Sequence, residues 1–230
     1  MREIIFDTET TGLDSREDRI IELGGIELDN HFPTGRSIHL YINPGDRKVH
    51  PDALAVHGIT DEFLSDKPPF KDVAEQILDF FSGAKWIAHN ATFDMGFVNA
   101  ELARLGLPPI APSEVVDTLS LARRKHPMGP NSLDALCKRY GIDNSHRTKH
   151  GALLDSELLA EVYIEMIGGR QAALGLAGPG QVAVDDTDTG SSPVLGRPRP
   201  LAARVTDAER QAHEAMVAKL GGKALWARYQ

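Results

Sequence analysis

Cysteine is almost missing from this chain. Cys137 is the single one in 230 residues, which excludes an internal disulfide framework and suits a reducing cytoplasm. An excess of positive charge is also lacking. Twenty-five Lys and Arg stand against 33 Asp and Glu, a formal net charge of −8. That argues against holding nucleic acid by bulk electrostatics, but not against a site where bound cations reverse the local sign. No apolar run approaches the roughly 20 residues of a membrane span. The start, Met1-Arg2-Glu3, lacks a signal peptide's apolar stretch. These absences predict a soluble, cytoplasmic protein with no membrane partner. The length allows one well-buried core and an appendage.

What is present begins at once. Ile4-Ile5-Phe6 is a β-type run that ends in Asp7-Thr8-Glu9-Thr10-Thr11-Gly12-Leu13. Residues i and i+2 of a strand share a face, so Asp7 and Glu9 point together into one site at a strand end. Carboxylates held that close repel unless a cation lies between them, and oxygen donors suit Mg²⁺ or Mn²⁺. A lone Asp-x-Glu is more often a solvated strand end, so the motif needs partners downstream.

Residues 19–28 read as a second strand and Ser37–Ile42 as a half-buried third, with Asp29-Asn30 at the turn. Three strands in succession predict an antiparallel start to the sheet. Residues 44–70 are rich in turn formers; Thr60 is placed to cap a short helix, and His57 lies in the same stretch. Val73–Phe81 carries a helical stripe stopped by Gly83. Trp86–His89 reads as a buried strand, and Asn90-Ala91-Thr92-Phe93-Asp94 leads into a helix with Asp94 in its first turn. The helix dipole stabilises a carboxylate there, and the same placement lets it face a neighbouring strand end. Glu114–Asp117 reads as a strand, and Thr118–Lys125 as a helix whose Arg123-Arg124-Lys125 end is solvated rather than a DNA track. Asn131 or Ser132 caps a helix running to Gly141. Residues 144–150 form a polar, basic loop, and a helix starts at Ala152 with Asp155 five residues after His150. Helices alternating with strands predict an α/β domain, a mixed sheet with helices packed on it.

That domain is expected to span residues 1–167. Residues 168–204, rich in Gly and Pro among small polar residues, predict a flexible linker. Residues 205–230 predict a short helical tail opened by a capping box at Thr206–Glu209 and running to Leu220. Trp226 and Tyr229 at its end suggest docking on a partner; folding back on the chain's own domain is the alternative.

In order, Asp7-x-Glu9, Asn90-Ala91-Thr92-Phe93-Asp94 and His150-Gly151-Ala152-Leu153-Leu154-Asp155 resemble the motifs of the DEDD superfamily of 3′–5′ exonucleases. The histidine marks the DEDDh subgroup, and the set is most like the proofreading (epsilon) subunits of bacterial DNA polymerase III. The resemblance covers residues 1 to about 167, and agreement of all motifs together is far more specific than any one. It implies a ribonuclease H-like sheet flanked by helices and two divalent metal ions, Mg²⁺ or Mn²⁺. By the same carry-over Asp7 bridges both ions, Glu9 helps hold the pair, Asp155 binds the catalytic one and Asp94 acts largely through water. His150 is the general base, a task that the ordinary histidine pKa of about 6.5 suits. The substrate is a single-stranded or frayed DNA 3′ end and the product a nucleoside 5′-monophosphate.

The resemblance also implies substrate contacts: backbone at Thr8 to Thr10, Leu13 as a wedge between the last bases, and Asn90, Phe93 and His57 along the groove. Ordinary core packing is the competing reading for Phe93 and Leu13. The tail resembles the segment by which epsilon subunits bind the polymerase catalytic (alpha) subunit. Gln171-Ala172-Ala173-Leu174-Gly175-Leu176 resembles a glutamine-led sliding-clamp peptide with Leu176 in place of its final aromatic; a chance match is the alternative. Two rival functions stand beside proofreading. An RNA-trimming exoribonuclease of the same superfamily is disfavoured by the linker and tail, and a non-catalytic structural subunit by the complete set of acids and base.

Overall fold

The computed structural model describes residues 1–147, 149–168 and 206–220. Among the described residues the five strands and the helices around them are built on the apolar run at the N-terminus. β1 (Arg2–Thr10) lies at the centre of a sheet of order β3-β2-β1-β4-β5. β2 (Ile20–Asp29) and β3 (Phe32–Tyr41) follow antiparallel, as their short connections predict, while β4 (Lys85–Ala88) and β5 (Val115–Asp117) run parallel to β1. Ile4, Ile5 and Phe6 are all fully buried, because β1 is covered on both faces.

The alternation along β1 decides which helix meets which side chain. Ile4 and Phe6 face α3 (Phe70–Phe81) and α4 (Ala91–Arg104), in a core with Val73, Ile77, Trp86 and Phe97. The Phe81 and Trp86 rings stack at 3.7 Å between centroids, and Phe6 meets both edge-on at 5.4 Å. Ile5 faces the other way, onto Leu159, Ala160 and Tyr163 of α7 (Ala152–Met166). A satellite core of Ala122, Leu136, Cys137 and Val162 joins α7 to α5 (Thr118–Lys125) and α6 (Leu133–Tyr140). Asp7 and Glu9 share Ile5's parity and so lie on the side of α7, whereas Thr8 lies on the side of α4.

Local signals set most of the ends. Ser132, not Asn131, caps α6 by accepting from Ala135 N at 3.3 Å, and Gly141 closes it at φ 68°. Thr60 caps α2 (Asp61–Leu64) through Phe63 N. Residues 44–70 hold more than turns: α1 (Pro51–His57) starts on a proline and stops at Gly58 in the left-handed region. β3 begins five residues before the expected Ser37, as an exposed edge strand. The chain divides into two units after Leu176. In the second, α8 (Asp207–Leu220) carries the expected capping box: Glu209 N donates to Thr206 Oγ1 at 3.3 Å, and Thr206 N to Glu209 Oε2 at 2.8 Å. Gln171, Leu174, Leu176, Trp226, Tyr229 and the linker lie outside the described residues. Among the described residues no helix is long and apolar enough to cross a membrane.

Candidate active site

The carboxyl ends of β1 and β4 open on a cavity of about 310 Å³ lined by Asp7, Thr8, Glu9, Asn90, Phe93, Asp94, Asp134, Arg147, His150 and Asp155, among others. Ligands of open α/β sheets bind at that end of the strands.

Three elements deliver the acids. Asp7 and Glu9 hang from the last turns of β1's pleat. Asp94 comes from the first turn of α4, where its Oδ1 accepts from Thr8 N at 3.1 Å and Thr8 Oγ1 at 2.7 Å. That helix starts at Asn90, held at φ 65°, and Asp117 at the end of β5 accepts from Asn90 N at 3.0 Å. Asp155 comes from the first turn of α7. This helix lies close against β2 because residue 24, the register partner of Asp7, is glycine. A Cβ at Gly24 would stand 2.3 Å from Leu153 N and 2.4 Å from the Ala152 carbonyl carbon. Glu22 Oε2 accepts from Ala152 N at 3.1 Å and Ser156 Oγ donates to Gly24 O at 3.1 Å, locking the helix start to the strand.

His150 precedes that helix. Its Nδ1 lies 3.3 Å from Asp155 Oδ2 and its side chain is 48% exposed. Its backbone N donates to Val56 O at 3.3 Å, which ties the loop to α1. Ligand atoms of Glu9, His150 and Asp155 lie within 4.8 Å of one another.

Packing acids this closely out of water disfavours their charge. Glu9 is pushed up to about 8, first by burial and then by the carboxylates of Glu22, Asp155 and Asp94. Burial raises Asp94 to about 7 against the lowering effect of Thr8's hydrogen bonds. Asp7 is held well above the carboxylate range by burial and by Asp94, Glu9 and Asp155. Among the described residues, Arg147 is the cation that faces these acids. It forks onto both Asp155 oxygens at 2.5 and 2.7 Å and is itself raised by that pair. A cluster of acids whose charge is unfavourable without a cation, on hard oxygen donors plus one imidazole, fits divalent metal.

The other expected contacts divide. Asn90 and Phe93 line the cavity, with Phe93 also packed on Phe97 at 5.0 Å between centroids. Leu13 is 86% exposed, so it is not core; it lies in a second, more apolar depression with Ala53, Val56 and Arg47. The side chains of Thr8 and Thr10 are committed, to Asp94 and to Gly12 O at 2.6 Å, and Thr8 N is also held by Asp94. His57 is 7% exposed, does not line the acid cavity, and accepts from Ile59 N at 3.0 Å. Sequence reasoning missed Arg147, Gly24 and Glu22.

Comparison with known proteins decides the family. Residues 4–163 match the family described as Exonuclease (RNase_T). The DNA polymerase III subunit epsilon of Escherichia coli K12 is 44% identical over 237 residues, covering 98% of this chain and 97% of that one. The chain belongs to the DNA polymerase III epsilon subunits of the exonuclease family. The epsilon subunit of Rickettsia felis is 52% identical over 177 residues, 75% of this chain and 77% of the other. Among solved structures, exonuclease X in complex with 5′-overhanging duplex DNA has a TM-score of 0.57 at 30% identity, over 73% of this chain and 91% of that one. The nuclease domain of 3′hExo bound to rAMP, at 17% identity and a TM-score of 0.62 over 73% and 92% of the two chains, shares the fold. As an epsilon subunit the chain is a 3′–5′ exonuclease with the ribonuclease H-like fold of its family.

Proposed function

We propose that the proofreading activity of this epsilon subunit runs through Asp7, Glu9, Asp94 and Asp155 as ligands of two divalent cations, Mg²⁺ or Mn²⁺, with His150 as general base. The reading is supported by the convergence of these five side chains on one cavity, with Asp7, Glu9 and Asp94 displaced toward the protonated form by burial and by neighbouring carboxylates. Two bound ions supply the charge that stabilises the attacking and leaving oxygens of a phosphodiester.

The chain's own groups do the rest. Thr8 holds one oxygen of Asp94, which lines the cavity. His150 faces Asp155 through Nδ1 and takes the proton of the attacking water through Nε2. The backbone of Thr8 to Thr10, with Asn90 and Phe93, receives the terminal nucleotide, and Leu13 wedges beside it. A frayed end enters at lower cost because it is already unpaired, which selects mismatches without base readout.

In the cytoplasm, the partner would be the polymerase III catalytic (alpha) subunit. The domain of residues 1–167 is tethered through residues 168–204 to the tail of residues 205–230, whose Trp226 and Tyr229 bind alpha, while Gln171, Leu174 and Leu176 bind the sliding clamp. A tether keeps the nuclease at high local concentration near the primer end.

The test offers matched and mismatched primer 3′ ends, and RNA, with and without Mg²⁺ or Mn²⁺. Metal-dependent release of nucleoside 5′-monophosphates, faster from mismatched DNA than from RNA, is expected; release in EDTA or preference for RNA would overturn the reading. A chain ending at Ile167 should cut equally well and fail to bind alpha.

A further inference from the structure

The site's resident cation is the chain's own arginine. The Arg147 side chain is 8% exposed although its residue stands in the loop before α7. Nε and one terminal nitrogen occupy the two Asp155 oxygens, fork to fork. The same terminal nitrogen lies 2.8 Å from His150 Nδ1, and the other reaches Asp134 Oδ1 at 2.9 Å. One guanidinium therefore touches a metal-ligand acid, the base and a rim carboxylate on α6.

These contacts do not all survive a loaded site. A divalent ion needs the oxygens that the fork occupies, and two cations sharing one carboxylate repel. Loading Asp155 thus releases the fork. Asp134, 59% exposed at the rim, remains as a holding partner, so the guanidinium stays at the cavity mouth. Its five planar donors match the other anion brought there, a phosphate of the strand.

We propose that Arg147 is a counter-ion of Asp155 that the metal displaces, and that the displaced guanidinium, held by Asp134, binds a phosphate of the DNA strand. The exchange makes Arg147 a substrate-binding residue only in the metal-loaded protein, which couples strand binding to metal binding. It rests on Asp155 being a metal ligand.

The test is Mn²⁺ titration without DNA, followed by electron paramagnetic resonance, on the wild type, Arg147→Gln, Arg147→Lys and Asp155→Ala. Arg147→Gln should bind Mn²⁺ about tenfold tighter or more, equivalent to about 1.4 kcal/mol. Arg147→Lys, which keeps the charge and loses the fork, should fall between it and the wild type, and serves if the glutamine variant does not fold. In a His150→Ala background, which slows cutting, anisotropy of a labelled single-stranded oligonucleotide is then followed against salt in Mn²⁺. Arg147→Gln should reduce the slope of log affinity on log salt by about 0.7, the share of one phosphate on a single strand. Mn²⁺ affinity unchanged or weakened in both Arg147 variants overturns the displacement. An unchanged salt slope overturns the phosphate contact. Wild-type Mn²⁺ affinity in Asp155→Ala removes the ligand assignment itself, a result separate from either.

Discussion

The acid cluster makes the metal-free protein lose stability as pH rises, in a window set by two residues. The Glu9 carboxyl moves from 4.5 to about 8 and Asp94 from 3.8 to about 7 on folding. Both keep protons in the native state at pH values where the unfolded chain has lost them. The native state then binds more protons than the unfolded one, and stability falls as pH climbs through the folded values. Asp7 is displaced in the same direction. Acids held low by hydrogen bonds and arginines, such as Glu27 and Asp117, are ionised in both states above about pH 5 and add no slope. His57 and His89 are depressed by burial, so they oppose the trend only while the unfolded chain's histidines still hold protons, near and below about pH 6.5. Between pH 6.5 and 8, Glu9 and Asp94 together should remove on the order of 2–3 kcal/mol. At roughly 2–4 °C per kcal/mol for a chain of this size, Tm should fall by roughly 5–10 °C. Calorimetry in EDTA across that range measures it. Saturating Mg²⁺ should flatten the curve, because a cation removes the reason for the displaced protons, and Glu9→Gln should take away most of the slope. A Tm in EDTA that holds level or rises from pH 6.5 to 8, or a fall that saturating Mg²⁺ leaves intact, would refute the reasoning.

Three substitutions probe the positioning of the site. Gly24→Ala puts a Cβ into the backbone of Leu153 and Ala152; it should cost about 1–3 kcal/mol and, by shifting Asp155, lower kcat about 10²-fold, measured by melting and single-turnover cleavage. His150→Ala should lower kcat by about 10²–10⁴-fold with Mn²⁺ and DNA affinity largely kept; a loss confined to affinity would make His150 a binding residue. Leu13→Ala, at a side chain 86% exposed, should change stability by no more than about 0.5 kcal/mol while raising KM for single-stranded DNA; an unchanged KM would remove the wedge from the account.

What could be read in the sequence was what local chemistry writes there. The Ile4–Phe6 run followed by Asp7 and Glu9 fixes a buried strand with both acids on one face, and the caps at Thr60, Ser132 and Thr206 are side-chain grammar. α1 was also written locally, in Pro51 at its start and Gly58 at its stop, but the density of prolines and glycines around it read as turn. The pieces that make the acids a site are tertiary. Gly24 in a strand reads as a weakness; only the packed helix shows that its missing side chain admits α7. Arg147 sits in a polar loop where any basic residue reads as solvated, and only the fold turns it onto Asp155. Leu13 could be read as core or as contact, and its exposure excludes core.

The central claim is that Asp7, Glu9, Asp94 and Asp155 hold a pair of catalytic cations. Mn²⁺ binding stoichiometry, counted by electron paramagnetic resonance with a nucleoside 5′-monophosphate present, tests it most directly. Two Mn²⁺ per chain are expected in the wild type, with loss of at least one ion and of 3′-end cleavage in both Asp7→Ala and Asp155→Ala. Two ions bound and undiminished cleavage in either variant would contradict it.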